Sequence, residues 1–552
     1  MRRSVLVFCI ASLCLALFLG ALDIVICITL YDTIGEKFKD YSNVGWIMTG
    51  YNLPNALFML LWGRLASLLG LKSSLVISIV IFELGSLLAA VANSMGMLIG
   101  ARVIAGFAGS GIESLVFAVG TSMVTEKHRA RVITILGIAY MIAEGVGPFI
   151  GGAFAEHVSW RWCFYVNLPV GGVALVILSL GFNPTGNTPR PAILKIWRQA
   201  KAYKYRRILH REFWFNVFVL LFFKLDIMGL IFSSTGFALI MLALTFGGNR
   251  FAWDSGSIIT MFVVGITLLL FFLVYDFCLL PWIGRQARQR SANPLISWTM
   301  ASNSGILTSS LAGFFNCFAF ELQSIFLVQY YQLVVNKKPT LASIHLWQMS
   351  VPALISVVVS AFINEKFGIV KPLIIVGTTL GFIGSGLLTL IDSNTRLGAS
   401  IGYSMLAGAS FGVVYQLSLI SCQLQINSND IDYHTKFIEV TAYNTFLKTL
   451  GFAFAGIVST TIFGISLHNF TAGSSEIPKF GSTEEVISYR NHHFDGRDSE
   501  LGQLLAKSIR NVFLFALGCS ALSFVFSLLT SNRRTRTTAD EKNETTEHKG
   551  KV

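Results

Sequence analysis

Residues 143–152 read AEGVGPFIGG, in the middle of an apolar run from 132 to 154. Pro148 removes a backbone donor, and its ring crowds the preceding turn, which kinks a helix. Gly145, Gly147, Gly151 and Gly152 strip side chains from the turns around it, so a second helix can approach the backbone closely. Glu144 sets a carboxyl group beside that bend. Packing alone calls for small residues, not for a proline and an acid among them. The stretch therefore reads as a flexing, tightly packed helix of a transport protein, with an ordinary kinked membrane helix as the alternative.

The rest of the chain supports a membrane setting. Of its 552 residues 53% are hydrophobic and only 13% charged, where soluble domains carry about a quarter charged residues. Mean hydropathy is +0.64. Apolar runs of about 20 residues recur from end to end, which predicts an all-α polytopic membrane protein. A transmembrane barrel would show short alternating segments instead. The runs fall at 5–30, 44–62, 75–92, 97–124, 132–154, 163–182, 226–246 and 257–275. Six more fall at 303–333, 342–362, 371–391, 399–421, 437–463 and 507–530. About 14 spans put both termini on one side. The expected organisation is a first six-helix half, 1–182, then a basic cytoplasmic loop plus two inserted helices, 183–302. A second six-helix half, 303–530, carries a long outer loop, 467–506, and 531–552 form a polar tail expected to be disordered and cytoplasmic. The loops GRLASLLGLK (63–72) and NEKFGIVK (364–371) echo one another across the two halves. Duplicated halves rocking about a midplane site are a recurrent transporter design.

A net charge of +13 invites a nucleic-acid reading, but position excludes it. With a cytoplasmic N-terminus, 27 of the 42 Lys and Arg fall in inner segments and 10 in outer ones. That bias is the positive-inside rule. Residues 190–211 add a contact with anionic lipid, and RQAKAYKYRRILHREFW (198–214) reads either as an inner-surface segment or as a solvated linker. The eight cysteines show no CxxC and lie mostly in apolar runs, as small core hydrophobes do. The N-terminal apolar run continues to about Leu30, too long for a signal-peptide core, so it reads as a retained first span. Asn469-Phe470-Thr471 forms a glycosylation acceptor on the outer side, which fits a eukaryotic, fungal glycoprotein. His492-His493 reads as a solvated pair, and Asn543 in the tail is expected to stay unmodified.

No phosphate-binding loop is present; Gly70-Leu71-Lys72-Ser73 lacks its glycine cradle. Energy must then come from an ion gradient or from the substrate's own. The informative residues are ionisable groups inside spans, each costing about 2.5–3.5 kcal/mol at a helix centre and so facing a bundle interior or cavity. Asp23 lies about seven residues from the outer end of span one, and Arg102 about five from that of span four. At about 1.5 Å per residue they share a depth and can touch. Glu83, Glu113, Glu144, Glu321 and Glu439 add carboxyl groups on other spans, Glu113 and Glu321 being best placed for a cavity. Glu83 and Glu439 read as nearer the membrane edge, and Lys448 as the neutraliser of one acid. Tyr51, Phe117, Tyr140, Phe320, Tyr330, Tyr415 and Tyr443 offer rings to a lipophilic cation. No nucleophile–base pair or metal-ligand cluster appears, so no catalysis, cofactor or metal is expected, and a monomer is.

Several motifs carry a resemblance. Ala21-Leu22-Asp23-Ile24-Val25-Ile26, the loop Gly63-Arg64-Leu65-Ala66-Ser67-Leu68-Leu69-Gly70-Leu71-Lys72, and Arg102 with Gly106, Gly109 and Gly111 are three of them. Gly147-Pro148-Phe149-Ile150-Gly151-Gly152, Trp160-Arg161-Trp162-Cys163-Phe164-Tyr165-Val166-Asn167-Leu168-Pro169 and Phe437-Ile438-Glu439-Val440-Thr441-Ala442 complete the set. The chain resembles the 14-span drug:proton antiporter branch of the major facilitator superfamily over nearly its whole length, yeast multidrug exporters above all. The resemblance implies a plasma-membrane efflux carrier exchanging protons for lipophilic cationic drugs and dyes. It implies proton coupling at Arg102, and conformational roles for Gly63, Arg64, Gly70, Lys72, Gly147, Pro148, Gly151 and Gly152. One departure stands out: the loop motif usually has an acid where Ser67 stands and a base where Leu68 stands. Alternatives are a vacuolar transporter of basic amino acids, a siderophore or organic-ion carrier of the same fold, and a non-transporting membrane sensor. Intramembrane acids argue against an anionic cargo.

Overall fold

The structure is a computed structural model that describes residues 3–39, 46–181, 214–215, 218–248, 251–286, 294–337, 339–427, 430, 432–472 and 499–535. The basic segment 190–211, His492-His493 and Asn543 lie outside the described residues. The first six long helices are α1 (Arg3–Ile26), α2 (Trp46–Leu69), α3 (Leu71–Ala90), α4 (Met95–Ser122), α5 (Arg129–His157) and α6 (Asn167–Gly181). Next come α7 (Ile227–Phe246) and α8 (Gly256–Val274), then α9 (Ser304–Gln329), α10 (Trp347–Phe367), α11 (Lys371–Leu388), α12 (Leu397–Gln423), α13 (Tyr433–Ala472) and α14 (Glu500–Leu528). Among the described residues, 13 helices are long and apolar enough to cross a membrane. The helix outside that set is α2, whose 24 residues carry Asn55 and Arg64, each 4% exposed. Its polar groups are enclosed by protein rather than by lipid.

Local chemistry explains the ends. Ser94 caps α4 by accepting from the Met97 amide at 3.2 Å, and Ser499 caps α14 through Gly502 at 3.2 Å. Gly70 (φ +87°) and Gly368 (φ +67°) follow α2 and α10 in conformations that disfavour a side chain. These two turns are the echoing loops of the sequence. The chain after α14 is tied down to Thr535, whose amide donates to the Gly368 carbonyl at 3.1 Å, while Arg533 donates to the Leu424 carbonyl at 2.9 Å. The first residues of the tail expected to be disordered are therefore held. Helix α13 runs on to Ala472, so Asn469 sits exposed on its last turn rather than in a loop.

The described residues form two compact units, one within Met1–Ala238, Val264–Asn303 and Ile426–Phe446, the other within Leu239–Val263, Ser304–Gln425 and Leu447–Val552. In the first, α3 packs on α4, α2 on α4, α1 on α6, α3 on α6 and α1 on α4. In the second, α11 packs on α12, α10 on α12, α9 on α14, α11 on α14 and α9 on α12, the same set shifted by eight helices. The close approaches repeat as well. A Cβ on Gly85 would strike the Ala105 amide, and one on Gly106 the Tyr51 carbonyl. A Cβ on Gly384 would strike the Ala407 amide, and one on Gly408 the Met349 carbonyl. Each unit thus uses an Ala-Gly pair on its fourth helix to seat two neighbours at backbone contact.

Candidate functional site

Four helices of the first unit converge on Asp23, which is fully buried on α1. Arg102 of α4, 1% exposed, pairs with it through Nη1. Its Nη2 donates to the Asp23 carbonyl and its Nε to the Ile47 carbonyl, both at 3.3 Å. The guanidinium lies 4.5 Å from the centre of the Tyr51 ring on α2. Asn167, at the start of α6, donates to Asp23 Oδ1 at 3.0 Å and to the Ser86 hydroxyl of α3 at 3.1 Å. Asp23 and Arg102 do meet, at the shared depth their positions predict. Tyr51 holds Arg102 rather than an open face for cargo. Asn167 sits in a quoted motif, but nothing in the sequence marks it as the second ligand of Asp23. Beside this layer lies Glu83 of α3, both of whose carboxyl oxygens are buried without a hydrogen-bond partner. It abuts Gly171 of α6, where any Cβ would overlap Oε1. Glu83 is thus a carboxyl enclosed between two helices, which only a glycine at 171 permits.

Eleven residues along α4 from Arg102, about 16 Å at helical rise, stands Glu113. Asn55 of α2 donates to its Oε2 at 3.1 Å. Glu113 lines a narrow crevice with Tyr51, Gly109, Gly20, Ile24 and Tyr140, drawn from α1, α2, α4 and α5. A Cβ on Gly109 would collide with the Tyr51 hydroxyl, so the glycine makes room for that ring. In this conformation the crevice has room for about one water molecule, about 10 Å³, far short of a drug-sized site.

The end of α2 forms a second ionic site. Arg64 pairs with Glu439 of α13. Next to it Arg129, which opens α5, donates to the Tyr433 hydroxyl at 2.8 Å and lies 4.7 Å from the Phe437 ring centre. Gly63 faces Ala442 so closely that a Cβ would overlap it. Ser67, standing where an acid is usual, donates to the Gly63 carbonyl of its own helix at 3.1 Å. The counter-charge for Arg64 comes from α13 instead. Lys72 donates to the Ser179 carbonyl at the end of α6, at 2.7 Å. Glu439 and Glu113 belong to different clusters.

On α5 the helix continues through Pro148 without interruption from Arg129 to His157. Gly147 meets Val25 and Leu22 of α1, the close approach that the glycine pattern predicts. Glu144 is half-buried, and a Cβ on Gly152 would meet nothing. In the second unit Glu321 is half-buried on α9, beside Phe320, which stacks on Phe411 at 3.9 Å. Lys448, 2% exposed, neutralises no acid there, contrary to expectation. Its ammonium donates to the Tyr415 carbonyl at 2.6 Å and lies 4.4 Å from that ring, which together replace a counter-ion. Tyr330 donates to the Asp392 carbonyl at 2.9 Å, and Phe117 is 2% exposed, so both serve packing. The sequence reading passed over two further buried carboxyls, Asp226 and Asp276. Among the described residues no three His, Cys, Asp or Glu side chains group as a metal site requires, and all eight cysteines are free.

Comparison with known proteins adds a frame. The sequence profile described as Major Facilitator Superfamily matches residues 13–274. The chain is 54% identical to Protein SGE1 of Saccharomyces cerevisiae, over 97% of this chain and 98% of that protein. It is 41% identical to Vacuolar basic amino acid transporter 5 of the same yeast, over 96% and 91% of the two chains. To Azole resistance protein 1, also of that yeast, it is 38% identical over 95% and 87%. Among solved structures, a double-tryptophan mutant of XylE superposes with a TM-score of 0.60 at 13% identity, covering 98% of each chain. That likeness concerns the fold.

Proposed function

The chain belongs to the major facilitator superfamily, and from that premise we propose that it exports lipophilic organic cations across the plasma membrane in exchange for protons. The observation that carries this reading is the Asp23–Arg102 pair, sealed from solvent and tied to α2, α3 and α6 through Tyr51, Ser86 and Asn167. A proton arriving at Asp23 removes one charge of the pair. Arg102 is then left without compensation in a dry site, and the five helices that share the contacts are driven to rearrange. Glu113, a buried acid in a crevice that Tyr140 also lines, suits a cationic group. Glu321 supplies an acid in the second unit, Glu144 a third on α5, and the Arg64–Glu439 pair closes one end of the first unit in this conformation.

Energy supports coupling. Moving a monovalent cation out against 100 mV costs about 2.3 kcal/mol. Exchange for one proton is electroneutral and draws only on the pH gradient, and a second proton adds the potential. The reading involves no bond making, cofactor or metal; anionic lipid acts as solvent for the basic segments, and a single chain suffices. Residue pairings repeated between the units support two six-helix halves with two inserted helices.

A second reading, transport of basic amino acids at the vacuole, is favoured by the relative named for that activity and by the same acidic groups. One experiment separates the two. Vesicles containing only this protein are loaded with ethidium, and the outside is made acidic. Dye should leave against its gradient, unaffected by excess lysine or arginine, and a protonophore or Asp23→Asn should stop it. Absence of dye movement at every pH step would remove the exporter reading, and exit of preloaded lysine under the same gradient would install the second.

A further inference from the structure

Two aspartates outside every cluster described so far meet at the base of the inserted helices. Asp226 immediately precedes α7, and Asp276 lies where α8 widens into a π-helical turn, Tyr275–Leu279. Both are 0% exposed, and the amides of two consecutive residues, Leu295 and Ile296, donate one to each carboxyl group, which sets the two groups side by side. Asp226 sits in a left-handed conformation, φ +51°, which costs free energy in a residue with a side chain. That conformation aims its carboxyl at several donors. The Gly229 amide donates to Oδ1 and the Leu295 amide to Oδ2, each at 3.0 Å. Among the described residues, Asp276 receives only the Ile296 amide, on Oδ2 at 2.8 Å, while its Oδ1 is buried with no donor.

We propose that Asp226 and Asp276 form a proton-binding site in which one proton, carried on Asp276 Oδ1 and donated to Asp226, is shared between the two carboxyl groups. Two touching carboxylates cannot both stay ionised away from water. Backbone amides occupy both oxygens of Asp226, and the donor-free oxygen of Asp276 is the atom that needs a hydrogen. The proton has a structural consequence. Leu295 and Ile296 belong to the segment that leads into α9, and each lends its amide to one aspartate, so the protonated pair clasps that segment to α7 and α8. The groups acting on the pair are Tyr275 from α8 and Arg64 from α2, which lies within electrostatic reach of Asp276. When the shared proton leaves, the pair gains a charge and becomes a rival to Glu439 for Arg64. The site stands on its own geometry and does not depend on the antiport reading.

The test uses the full chain in lipid nanodiscs and measures no transport. Infrared difference spectra across an alkaline titration should show loss of a protonated-carboxyl band in the wild type. Asp276→Asn should lack that component, and Asp226→Asn should move it to lower pH, because the repelling neighbour is gone. Hydrogen exchange of the peptide containing Leu295 and Ile296 should accelerate over the same pH interval in the wild type and lose that step in Asp276→Asn. An unchanged band in both variants, or exchange with no step in the wild type, would overturn the site. If Asp276→Asn fails to fold, the direction of the shift in Asp226→Asn decides: an unshifted band refutes the proposal.

Discussion

Arg102 shows what a buried ion pair asks of its residue type. Its guanidinium reaches a carboxylate, two backbone carbonyls and a ring face at once. A lysine can reach one of these at a time. The pair itself is poor evidence of stability, since desolvation offsets its attraction, but removing one member leaves a bare buried charge that costs about 3–5 kcal/mol. Asp23→Asn is thus expected to lower the melting temperature of the purified protein sharply. Adding Arg102→Gln to it should restore much of the loss. A double-mutant cycle on melting measures this, and strictly additive losses would mean the two residues act separately. Asp23 and Arg102 were legible because ionisable groups in apolar runs must find partners, and helical rise gave them one depth. Asn167 was not, because an amide opening a helix costs nothing that demands explanation from sequence. Lys448 misled for a related reason: opposite charge is not the only answer to a buried ammonium when a carbonyl and a ring stand together.

Helix ends, rather than helix existence, are where sequence and structure part company. Helix α13 spans 40 residues, about 60 Å at helical rise, twice the thickness of a bilayer core. Hydropathy sees only its apolar middle, so the polar turns at Tyr433 and at Asn469 read as loop. Those unseen turns matter, because the first of them brings Glu439 to Arg64 and Tyr433 to Arg129. The loop motif likewise could not reveal that its missing acid is replaced from a helix 375 positions away. If this pair holds α2 to α13, reversing either charge alone should cut dye efflux by more than about tenfold, roughly 1.4 kcal/mol. The exchange Arg64→Glu with Glu439→Arg should recover most of it, with all three proteins reaching the membrane. Equal loss in the double variant would show that the pair is incidental to transport.

Across the whole molecule the two units share a plan but not a charge. In the first, Ser86, Asn167 and Asp23 are linked on α3, α6 and α1, with Arg102 on α4. At the matching places of the second, Ser385 is linked to Gln323 of α9 and Ser520 of α14, both at 2.7 Å, and Ser404 holds the position of Arg102. The correspondence follows from Gly85 and Gly384, and from the Ala105-Gly106 and Ala407-Gly408 pairs, which seat the same neighbours. Sequence comparison of the halves finds only the loop echo, because the polar layer has been rewritten from ions to amides and hydroxyls while the glycines stayed. A neutral layer holds helices together by hydrogen bonds but has no proton to exchange. Under the proposed exchange, the acid of this layer is supplied by the first unit, where Asp23 pairs with Arg102. Asn167→Ala should displace the pH dependence of dye efflux, by removing the amide that is held on Asp23 beside Arg102. Ser385→Ala and Gln323→Ala should slow efflux modestly and leave the profile in place. The measurement is efflux rate from vesicles over a series of external pH values. A profile displaced equally by Ser385→Ala and Asn167→Ala would mean that the second layer takes part in coupling despite having no charge.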